Sequence, residues 1–438
     1  MAKALAVESS TSRSNGSRNK LETKDQAIHR WYRFVLSFPP HLVRNYLEKL
    51  DLRPGQTVLD PFCGTGTTLV ECKLNGIRCI GIEATPMGFL ATRVKTDWSP
   101  KPKSLMRHAE MVAEEATRLL DASNVSDAPF ELSAPPAALR KLSPEVESLL
   151  LTDSISPLPL HKTLCLLEAM EKNWSEHYSR HEQLALARAL VAVIGNLRFG
   201  PEVGLGKIKP DSAVIGPWFT EVEKIAEDLD GLAEVSVADS QVFNGDSRQM
   251  EAFLNPRSLD GVITSPPYPN EKDYTRTTRL ETVLLGFVKD KTQLQELKKG
   301  LIRSNTRGVY KADDDDLWID SHLDIQRIAG MIEEKRIEMG KNSGFERLYG
   351  RVTKLYFGGM ARHMASLRPY LKKGARLAYV VGDQASYLRV MIRTGSLLAD
   401  IANSLGYEVV GIDLFRTRLA TATKQQLREE VLLLRWPN

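Results

Sequence analysis

Short apolar runs recur along this chain and are separated by longer stretches with helical periodicity. The runs are bounded by glycine, proline or polar turn residues, which is the pattern of buried strands. They lie at 57–60, 78–82, 240–243, 261–264, 376–381, 408–413 and 430–435. Helical segments lie between most of them, so the sequence predicts an α/β fold with a doubly wound, mostly parallel, seven-stranded sheet. The last run predicts an antiparallel strand at the edge of that sheet.

Two long segments exceed what a single crossover between parallel strands needs. Residues 94–235 have helical periodicity with proline-rich breaks, and strand signals nearly vanish there, which predicts a large helical insertion. Residues 270–370 are also too long for one crossover and predict a second, smaller insertion. Residues 27–93 and 236–438 then supply the core of the fold.

The beginning of the chain has two parts of different character. Residues 1–26 are rich in Ser, Asn and Lys, which predicts a disordered or basic tail. From 29 to 50, apolar side chains recur at three- to four-residue spacing and predict a helical segment that is interrupted by Pro39 and Pro40.

The composition is that of a folded protein. Of the 438 residues, 42% are hydrophobic and 26% are charged, and no apolar run is long enough to span a bilayer. The start has no apolar signal-peptide core and the four cysteines form no CxxC pair, so we expect a cytoplasmic protein without disulfides or structural zinc. The net charge of +4 is compatible with a polyanionic partner but does not identify one.

Glycines follow the first predicted strand, where an open parallel sheet binds its ligands. In the segment from Asp60 to Thr68 they let the backbone turn tightly and approach a ligand closely, and the next helix offers free N–H groups. Glu83 ends the second strand, where a carboxylate can accept hydrogen bonds from a ribose diol. Asp246 follows the third strand and offers an acceptor for an adenine amine. Together these loops predict an adenosine-containing ligand.

The spacing of the glycines excludes two common nucleotide sites. No Gly-Lys-Ser/Thr follows, as a P-loop requires, and the full GxGxxG of dinucleotide enzymes is absent. The segment 60–68 instead resembles the cofactor motif of the S-adenosylmethionine-dependent DNA amino-methyltransferases, and Thr-Ser-Pro-Pro-Tyr at 264–268 resembles their catalytic motif. This resemblance, to the SPPY-type N4-cytosine and N6-adenine DNA methylases, implies a class I, Rossmann-like methyltransferase fold. It also implies S-adenosylmethionine as cofactor and S-adenosylhomocysteine as product.

The resemblance assigns roles residue by residue. Phe38 and Pro39 resemble the segment that packs beside the methionine end of the cofactor in this family. The predicted cofactor-binding residues are Phe38, Pro39, Asp60, Pro61, Phe62, Gly64, Gly66, Thr67, Glu83, Asp246 and Ser247. The predicted catalytic residues are Ser265, Pro266, Pro267 and Tyr268. No metal is expected to take part.

Ser265, Pro266 and Tyr268 are residue types that methylation of an exocyclic amine needs. Such an amine is conjugated to its ring and is a poor nucleophile, so acceptors must draw its nitrogen toward a tetrahedral state. Ser265 Oγ and the Pro266 carbonyl can accept from the two N–H bonds, and the prolines hold that carbonyl outward. Tyr268 would stack on a base extruded from the duplex, and transfer is then direct and in line.

The first residue of the catalytic motif bears on the choice of base. Ser265, rather than Asp, resembles the N4-cytosine group, although some N6-adenine enzymes share it. A cytosine-C5 enzyme needs a nucleophilic cysteine, usually in Pro-Cys, which this sequence lacks, and Cys63 lies in the cofactor loop. We predict N4 of cytosine as the target, with N6 of adenine as the alternative. The motifs are also compatible with an RNA guanine-N2 methylase and with a catalytically inert nucleic-acid-binding module.

Basic and aromatic residues that directly follow the catalytic motif predict DNA contacts. Tyr274, Arg276 and Arg279 are the candidates, because a DNA strand needs phosphate clamps beside the catalytic loop. We expect target recognition to lie in the insertions, chiefly 94–235, since almost no chain follows the last strand. The family implies double-stranded DNA as partner, a role in restriction–modification or genome protection, a cognate restriction nuclease that acts separately, and association with the nucleoid.

Overall fold

Every strand that the sequence predicts is present in the computed structural model. The strands, numbered in chain order, are β1 (Thr57–Asp60), β2 (Arg78–Glu83), β3 (Leu197–Phe199), β4 (Val203–Leu205), β5 (Ser240–Asn244), β6 (Leu259–Thr264), β7 (Leu371–Gly382), β8 (Glu408–Leu419) and β9 (Gln426–Arg435). β3 and β4 form a small separate hairpin that the sequence does not predict. The structure describes residues 21–33, 37–129, 138–199, 203–232, 235, 238–269, 272–419 and 425–438.

Seven strands of the described residues form one sheet, in the order β5-β2-β1-β6-β7-β9-β8. From β5 to β7 neighbouring strands are parallel, and β9 is antiparallel to both of its neighbours. The predicted mostly parallel sheet is confirmed, but the expected edge position of the antiparallel strand is wrong, because β9 lies between β7 and β8. The run 431–434 of β9 is buried throughout, as an inner strand requires.

Helices cover both faces of the sheet. They are α1 (Pro40–Lys49), α2 (Thr67–Leu74), α3 (Pro86–Thr96), α4 (Pro102–Asp121), α5 (Pro144–Glu147), α6 (Pro157–Lys172), α7 (Ser179–Ala189), α8 (Ile215–Asp230), α9 (Tyr274–Thr277), α10 (Arg279–Leu284), α11 (Lys291–Lys299), α12 (Leu323–Glu338), α13 (Tyr349–Leu367) and α14 (Thr394–Ser404). Successive strand residues point to opposite faces. Val58 packs in a cluster with α1 and α2, whereas Leu59 packs in a cluster with α13 and α14, so the sheet is doubly wound.

The segment before α1 differs from the predicted helix. Residues 29–33 form turns, and residues 34–36 lie outside the described part of the chain. The helix begins only at Pro40, because Pro39 is extended and a proline at the first helical position lacks an N–H that would be unpaired anyway. The predicted tail over 1–26 lies mostly outside the described residues, and Thr23–Asp25 forms a 3-10 turn.

The segment predicted as an insertion, 94–235, is largely helical and shares its hydrophobic core with the rest of the fold. Its helices α4, α6, α7 and α8 pack around buried apolar side chains, Trp218 among them. The same cluster includes Trp31 near the start of the chain and Met87 and Leu90 of α3. The segment is therefore anchored on α3, the helix that directly follows β2.

The range 270–370 contains a core helix as well as added segments. Its last helix, α13, lies in the crossover between β6 and β7 and carries the buried side chains of Tyr356, Phe357 and Met360 onto the sheet. The shorter helices from α9 to α11, and then α12, lie between β6 and α13. Within the described residues, no helix is long and apolar enough to cross a membrane.

Candidate active site

The strand order brings the loops after β1, β2, β5 and β6 to one edge of the sheet. β1 pairs in parallel with β6, with Leu59 opposite Val262, and with β2 on its other side. A cavity of about 770 Å³ opens at this edge, a volume typical of small-molecule sites. The predicted site residues that line it are Phe38, Pro61, Phe62, Gly64, Thr67, Glu83, Ser247, Ser265, Pro266, Pro267, Tyr268, Tyr274 and Arg276.

Asp60 ends β1 and lies behind the cavity wall. Its Oδ1 accepts hydrogen bonds from Thr264 Oγ1 at 2.6 Å and from the Phe62 N–H at 3.1 Å. Asp60 is 1% exposed, and burial raises the pKa of its carboxyl group to about 6. Asp60 thus joins the two loops that follow β1 and β6, and it does not line the cavity as a direct cofactor ligand would.

Two glycines with positive φ shape the loop after β1. Gly64 has a φ of 54° and Gly66 a φ of 83°, and Gly66 directly precedes α2. A Cβ on Gly66 would lie 3.0 Å from the Thr92 side chain, so both conformation and space require glycine there. Gly64 and Thr67 line the cavity, whereas Gly66 supports the loop from behind.

Glu83 ends β2 and lines the cavity where the sequence predicts a ribose-binding carboxylate. Its Oε2 accepts a hydrogen bond from the Gly64 N–H at 2.8 Å, and its Oε1 accepts from the N–H and the hydroxyl of Thr85 at 2.9 and 2.5 Å. A carboxylate offers about four acceptor positions, so Oε2 retains one for a ligand. Burial raises the pKa of Glu83, and these three donors oppose that rise.

Asp246, the predicted acceptor for an adenine amine, does not line the cavity. Its carboxylate accepts from the Arg248 guanidinium at 2.6 and 3.0 Å, and Arg248 also contacts Asp315. Because Arg248 is 8% exposed, its charge needs these buried acids. The adenine-side role of Asp246 stays a prediction, and its neighbours Gly245 and Ser247 line the cavity.

The tetrapeptide Ser-Pro-Pro-Tyr at 265–268 begins where β6 ends, and all four residues line the cavity. Ser265 Oγ donates a hydrogen bond to the Val380 carbonyl of β7 at 3.2 Å. Since the hydroxyl proton is committed to β7, the lone pairs of Ser265 Oγ remain able to accept. The neighbouring strand therefore orients the Ser265 hydroxyl, which the sequence predicts as an acceptor.

Tyr268 packs against the end of β7. A Cβ on Gly382 would lie 3.0 Å from the Tyr268 ring, so glycine at this position makes room for the ring. Burial raises the pKa of Tyr268 above its ordinary value and raises the pKa of Tyr274 to about 12, so both phenols are neutral at pH 7. The two rings line one cavity and can cover a planar ligand.

The turn before α1 supplies another wall. Phe38 lines the cavity, whereas Pro39 precedes the first residue of α1 and does not line it. Ser37, which the sequence does not single out, lines the cavity, and its Oγ lies 3.3 Å from Thr65 Oγ1. The N-terminal segment and the loop after β1 therefore meet at this wall.

The two predicted DNA-binding arginines differ in position. Arg276 lines the cavity, is partly exposed and has no ion-pair partner among the described residues. Arg279 is 8% exposed, and its guanidinium donates to the carbonyls of Thr275 and Leu149. Arg279 supports the local fold in this way, and its contact with a phosphate stays a prediction.

Comparison with known proteins finds similarity to DNA methylases. A family model for N6 and N4 methylases, described as DNA methylase, matches residues 9–87, which include the glycine loop and Glu83. The type II methyltransferase M.BsoBI of Geobacillus stearothermophilus is 25% identical over 92% of this chain and 83% of its own length. The type II methyltransferase M.AvaI of Nostoc sp. is 24% identical over the same shares. These similarities support a DNA amino-methyltransferase of this family.

The fold of this methyltransferase is established by its own strand order. Among solved structures, TrmN from Thermus thermophilus covers 91% of this chain and 48% of its own, at 11% identity and a TM-score of 0.27. That likeness is too low to support any argument. The parallel strands from β5 to β7, followed by an antiparallel β9 between β7 and β8, form the Rossmann-like sheet that the class I resemblance implies.

Several cavity residues of the methyltransferase lie outside its motifs. They come from the β3–β4 hairpin, the segment after α11 and the β8–β9 hairpin, and include Phe199, Val203, Ile302, Asn305, Arg307, Phe415, Arg416, Arg418 and Glu429. Arg416 and Glu429 form a two-bond ion pair at 2.6 and 2.8 Å across β8 and β9. The run Phe-Arg-Thr-Arg at 415–418 was the available sequence signal, because aromatic and basic residues together are common at nucleic-acid surfaces.

Cys63 lines the cavity of the methyltransferase and is not suited to nucleophilic attack. The residue is 4% exposed, and burial raises the pKa of its thiol well above the ordinary value, so the thiolate is disfavoured. Its Sγ lies 3.7 Å from Thr92 Oγ1. All four cysteines are free and buried. These facts fit Cys63 as a small side chain of the loop.

Proposed function

We propose that this methyltransferase transfers a methyl group from S-adenosylmethionine to the exocyclic N4 amine of cytosine in double-stranded DNA and releases S-adenosylhomocysteine. One observation carries the proposal: the Ser-Pro-Pro-Tyr tetrapeptide at 265–268 and the glycine loop after β1 line the same cavity. The hydrogen bond between Thr264 and Asp60 ties the two loops together behind that cavity. A methyl donor and an acceptor amine could therefore meet in one enclosed space.

The cavity fits the cofactor. Glu83 has an unused acceptor position for a ribose hydroxyl, Gly64 permits close approach of the backbone, and Gly245 and Ser247 line the neighbouring wall. Phe38 lies on the wall proposed for the methionine end. When bound, S-adenosylmethionine supplies an electrophilic methyl group, and no metal is needed for that chemistry.

Ser265 and Pro266 would prepare the acceptor amine. With its proton given to the Val380 carbonyl, the Ser265 hydroxyl is an acceptor for one amine hydrogen, and the Pro266 carbonyl is available for the second. Acceptance of both hydrogens favours a pyramidal nitrogen whose lone pair would attack the methyl carbon as the C–S bond breaks. One of the two amine protons would then leave to water, which gives the neutral methylated amine. Such preorganised acceptors act in the transition state and need no covalent intermediate.

Tyr268 and Arg276 would hold the nucleic acid. An amine within a duplex cannot reach an enclosed cavity, so the base must leave the stack, and Tyr268 offers an aromatic face for it. Arg276 lies at the same cavity and is free of ion pairs among the described residues, so its charge is available to a phosphate. The segments 94–235 and 270–370 are proposed to supply target recognition and further DNA contacts.

Ser265, the first residue of the tetrapeptide, favours cytosine over adenine, because serine at this position resembles the motif of the N4-cytosine methylases. Adenine N6 is the second candidate, because its amine presents the same two hydrogens to the same acceptors. A role in restriction–modification is supported by the names of the two relatives, both type II methyltransferases, and it implies a cognate nuclease that acts separately. Under this proposal the enzyme works on chromosomal DNA in the cytoplasm.

Mass spectrometry of nucleosides tests the proposal. Purified protein and S-adenosylmethionine are incubated with unmethylated duplex DNA, the same DNA as single strands, or transfer RNA, and each product is digested to nucleosides. We expect N4-methyldeoxycytidine from the duplex only. N6-methyldeoxyadenosine would instead show that adenine N6 is the target. N2-methylguanosine from transfer RNA would show that the protein is an RNA methylase. No methylated nucleoside, with DNA still bound, would indicate an inert binding module.

A further inference from the structure

Arg416 and Glu429 form an ion pair on the wall of the active-site cavity. Arg416 Nε and Nη2 donate to the two carboxylate oxygens of Glu429 at 2.6 and 2.8 Å, and the two residues are register partners on β8 and β9. Both residues line the cavity. Two parallel bonds fix the plane of a guanidinium group, because each bond opposes rotation about the other. Arg416 is therefore a cation of defined orientation at the cavity.

The ion pair lies beside the ring of Tyr268. Gly382 of β7 is the register partner of Glu429, and a Cβ on Gly382 would lie 3.0 Å from the Tyr268 ring and 3.5 Å from Cγ of Glu429. Hydrogen bonding to Glu429 is the largest cause of the raised pKa of Arg416, and an electrostatic contribution from Tyr268 adds to it. The guanidinium therefore lies near the ring that is proposed to stack on the extruded base.

Most of the hydrogen-bonding capacity of Arg416 is unused. A guanidinium has five N–H groups, and Glu429 accepts from two of them. The other three, two on Nη1 and one on Nη2, have no acceptor among the described residues. The Arg416 side chain is only 21% exposed, so a ligand that covers this wall would remove much of the remaining water. These donors would then need acceptor atoms on the ligand.

Other arginines on the cavity wall are less suited to reading a base. Arg303 is 5% exposed and donates to Asp313 and to backbone carbonyls, so its N–H groups are occupied. Arg276 has no ion pair that would fix its direction among the described residues, which suits a phosphate contact. Reading a base edge requires donors that point in a fixed direction. Arg416 combines a fixed plane with unused donors.

Cytosine and adenine differ in the acceptors that lie next to the amine. In cytosine the ring nitrogen N3 follows the amine and the carbonyl oxygen O2 follows N3, so two acceptors stand in a row. In adenine the ring nitrogen N1 follows the amine, and a C–H group takes the next position. Two donors placed along this edge therefore satisfy cytosine fully, whereas one of them is left without an acceptor opposite adenine. An unpaired donor in an enclosed site disfavours the wrong substrate strongly.

We propose that Arg416, held by Glu429, donates to N3 and O2 of the extruded base and thereby selects cytosine over adenine. The inference rests on the proposed function, because it takes the base beside Tyr268 to be the methyl acceptor. Ser265 and Pro266 would accept from the amine, which both bases carry, while Arg416 reads the atoms in which the bases differ. Arg416 is then a specificity-determining residue of the target-base site.

A substrate analogue combined with a variant tests the contact with N3. Sequencing of DNA methylated by the wild type gives the target position, and 3-deazacytosine, which has a C–H group in place of N3, is then placed there in a synthetic duplex. Single-turnover rates are measured for the cytosine and the 3-deazacytosine duplex. The ratio of the two rates should be roughly tenfold larger for the wild type than for Arg416→Met, because the variant has already lost the contact. Any intrinsic difference in reactivity between the two amines cancels in this comparison.

Affinity for two natural bases provides a second measurement. Fluorescence anisotropy, with S-adenosylhomocysteine present, compares a duplex that has cytosine at the target position with one that has an adenine–thymine pair there. The preference for cytosine should shrink by roughly tenfold in Arg416→Met. Arg435→Met is the matched control, because Arg435 forms an ion pair with Glu408 across the same two strands at their other end. This control should keep both wild-type ratios.

The outcomes separate this inference from the proposed function. Wild-type ratios in Arg416→Met, with or without slower methylation of every duplex, would mean that the ion pair only stabilises the β8–β9 hairpin and would overturn the inference. If Arg416→Met fails to fold, Arg416→Lys takes its place: it keeps the charge but cannot form the two-bond pair, so both ratios should still fall, and wild-type ratios would again overturn the inference. Absence of methylation by the wild type, or methylation of adenine by it, would contradict the proposed function before any variant is compared, and this inference would fall with it.

Discussion

Thr264 Oγ1 donates a 2.6 Å hydrogen bond to Asp60 Oδ1, and this contact joins the ends of β6 and β1. The residue after Thr264 begins the tetrapeptide at 265–268, and the residue after Asp60 begins the glycine loop. Together with the parallel pairing of β1 and β6, this buried bond fixes the spacing between the two loops that are proposed to hold the methyl donor and the acceptor amine. Asp60 therefore contributes to the site by holding the ends of β1 and β6 together.

The buried carboxyl group of Asp60 predicts a dependence of stability on pH. Its pKa is raised to about 6 in the fold from 3.8 in the unfolded chain, so the folded state keeps a proton that the unfolded state has lost. Its contribution is therefore most favourable below pH 4 and declines as the pH rises to 6. Urea titrations of the wild type and of Asp60→Asn measure this effect. The free energy of unfolding of the wild type, relative to that of the variant, should fall by roughly 1–2 kcal/mol between pH 5 and 7.5. A difference that does not change with pH would contradict the raised pKa.

Ser265→Ala should lower the rate of methyl transfer far more than it weakens binding. The substitution removes the acceptor that Val380 orients, and a missing hydrogen bond of this kind commonly costs ~10²–10³ in rate. Single-turnover methylation and calorimetric cofactor binding would measure the two effects. A fully active Ser265→Ala protein would rule out the proposed role of the hydroxyl.

Tyr268→Ala should weaken capture of the extruded base, since stacking contributes roughly 1–3 kcal/mol. Tyr268→Phe keeps the ring, fits the space beside Gly382 and should restore most of the affinity. Fluorescence of 2-aminopurine at the target position reports base extrusion directly. If Phe and Ala variants behave alike, the hydroxyl rather than the ring is the important group.

Cys63→Ser should retain methylation within about one order of magnitude, because no thiolate attack is proposed. The high pKa of the buried thiol is the physical reason. Cys63→Ala serves as the control for any effect of a buried hydroxyl. Loss of activity in both variants, with folding and cofactor affinity intact, would favour covalent catalysis.

Arg276→Ala should weaken DNA binding and reduce the slope of log affinity against log salt by about one unit, as expected for a lost phosphate contact. Arg78→Ala is the matched control, because Arg78 is an exposed arginine at the opposite, amino end of β2. Fluorescence anisotropy over a range of salt concentrations measures both slopes. Equal slopes for the two variants would mean that Arg276 does not contact a DNA phosphate.

The parts of the site that local sequence determines were predictable. The glycine loop, Glu83 and the tetrapeptide at 265–268 each follow a strand directly, and parallel strands bring such loops to one edge without further information. Ser247 and Phe38 also line the cavity, because Ser247 lies just after a strand and Phe38 just before a helix. Their places at this edge follow from their spacing along the chain, whereas the roles predicted for Phe38 and the tetrapeptide come from the family resemblance.

The parts that depend on distant contacts were not predictable. Arg279 looks like a free cation in sequence, but one of its acceptors, the Leu149 carbonyl, lies 130 positions away. Asp246 is held by Arg248, whose second acid, Asp315, lies 67 positions beyond Arg248. The inner position of β9 likewise follows from pairing with β7 and β8, which a linear pattern of apolar residues does not encode.

The hydrophobic cluster that joins α3 to segment 94–235 has a consequence for redesign. Met87 and Leu90 of α3 share that cluster with Trp218, and α3 directly follows the strand that carries Glu83. A graft of 94–235 from a relative would also need complementary side chains at 87 and 90, or the cofactor end of the sheet would lose its support. This segment therefore cannot be exchanged as an independent unit. If it supplies target recognition as proposed, substitutions on its surface are the better way to change specificity.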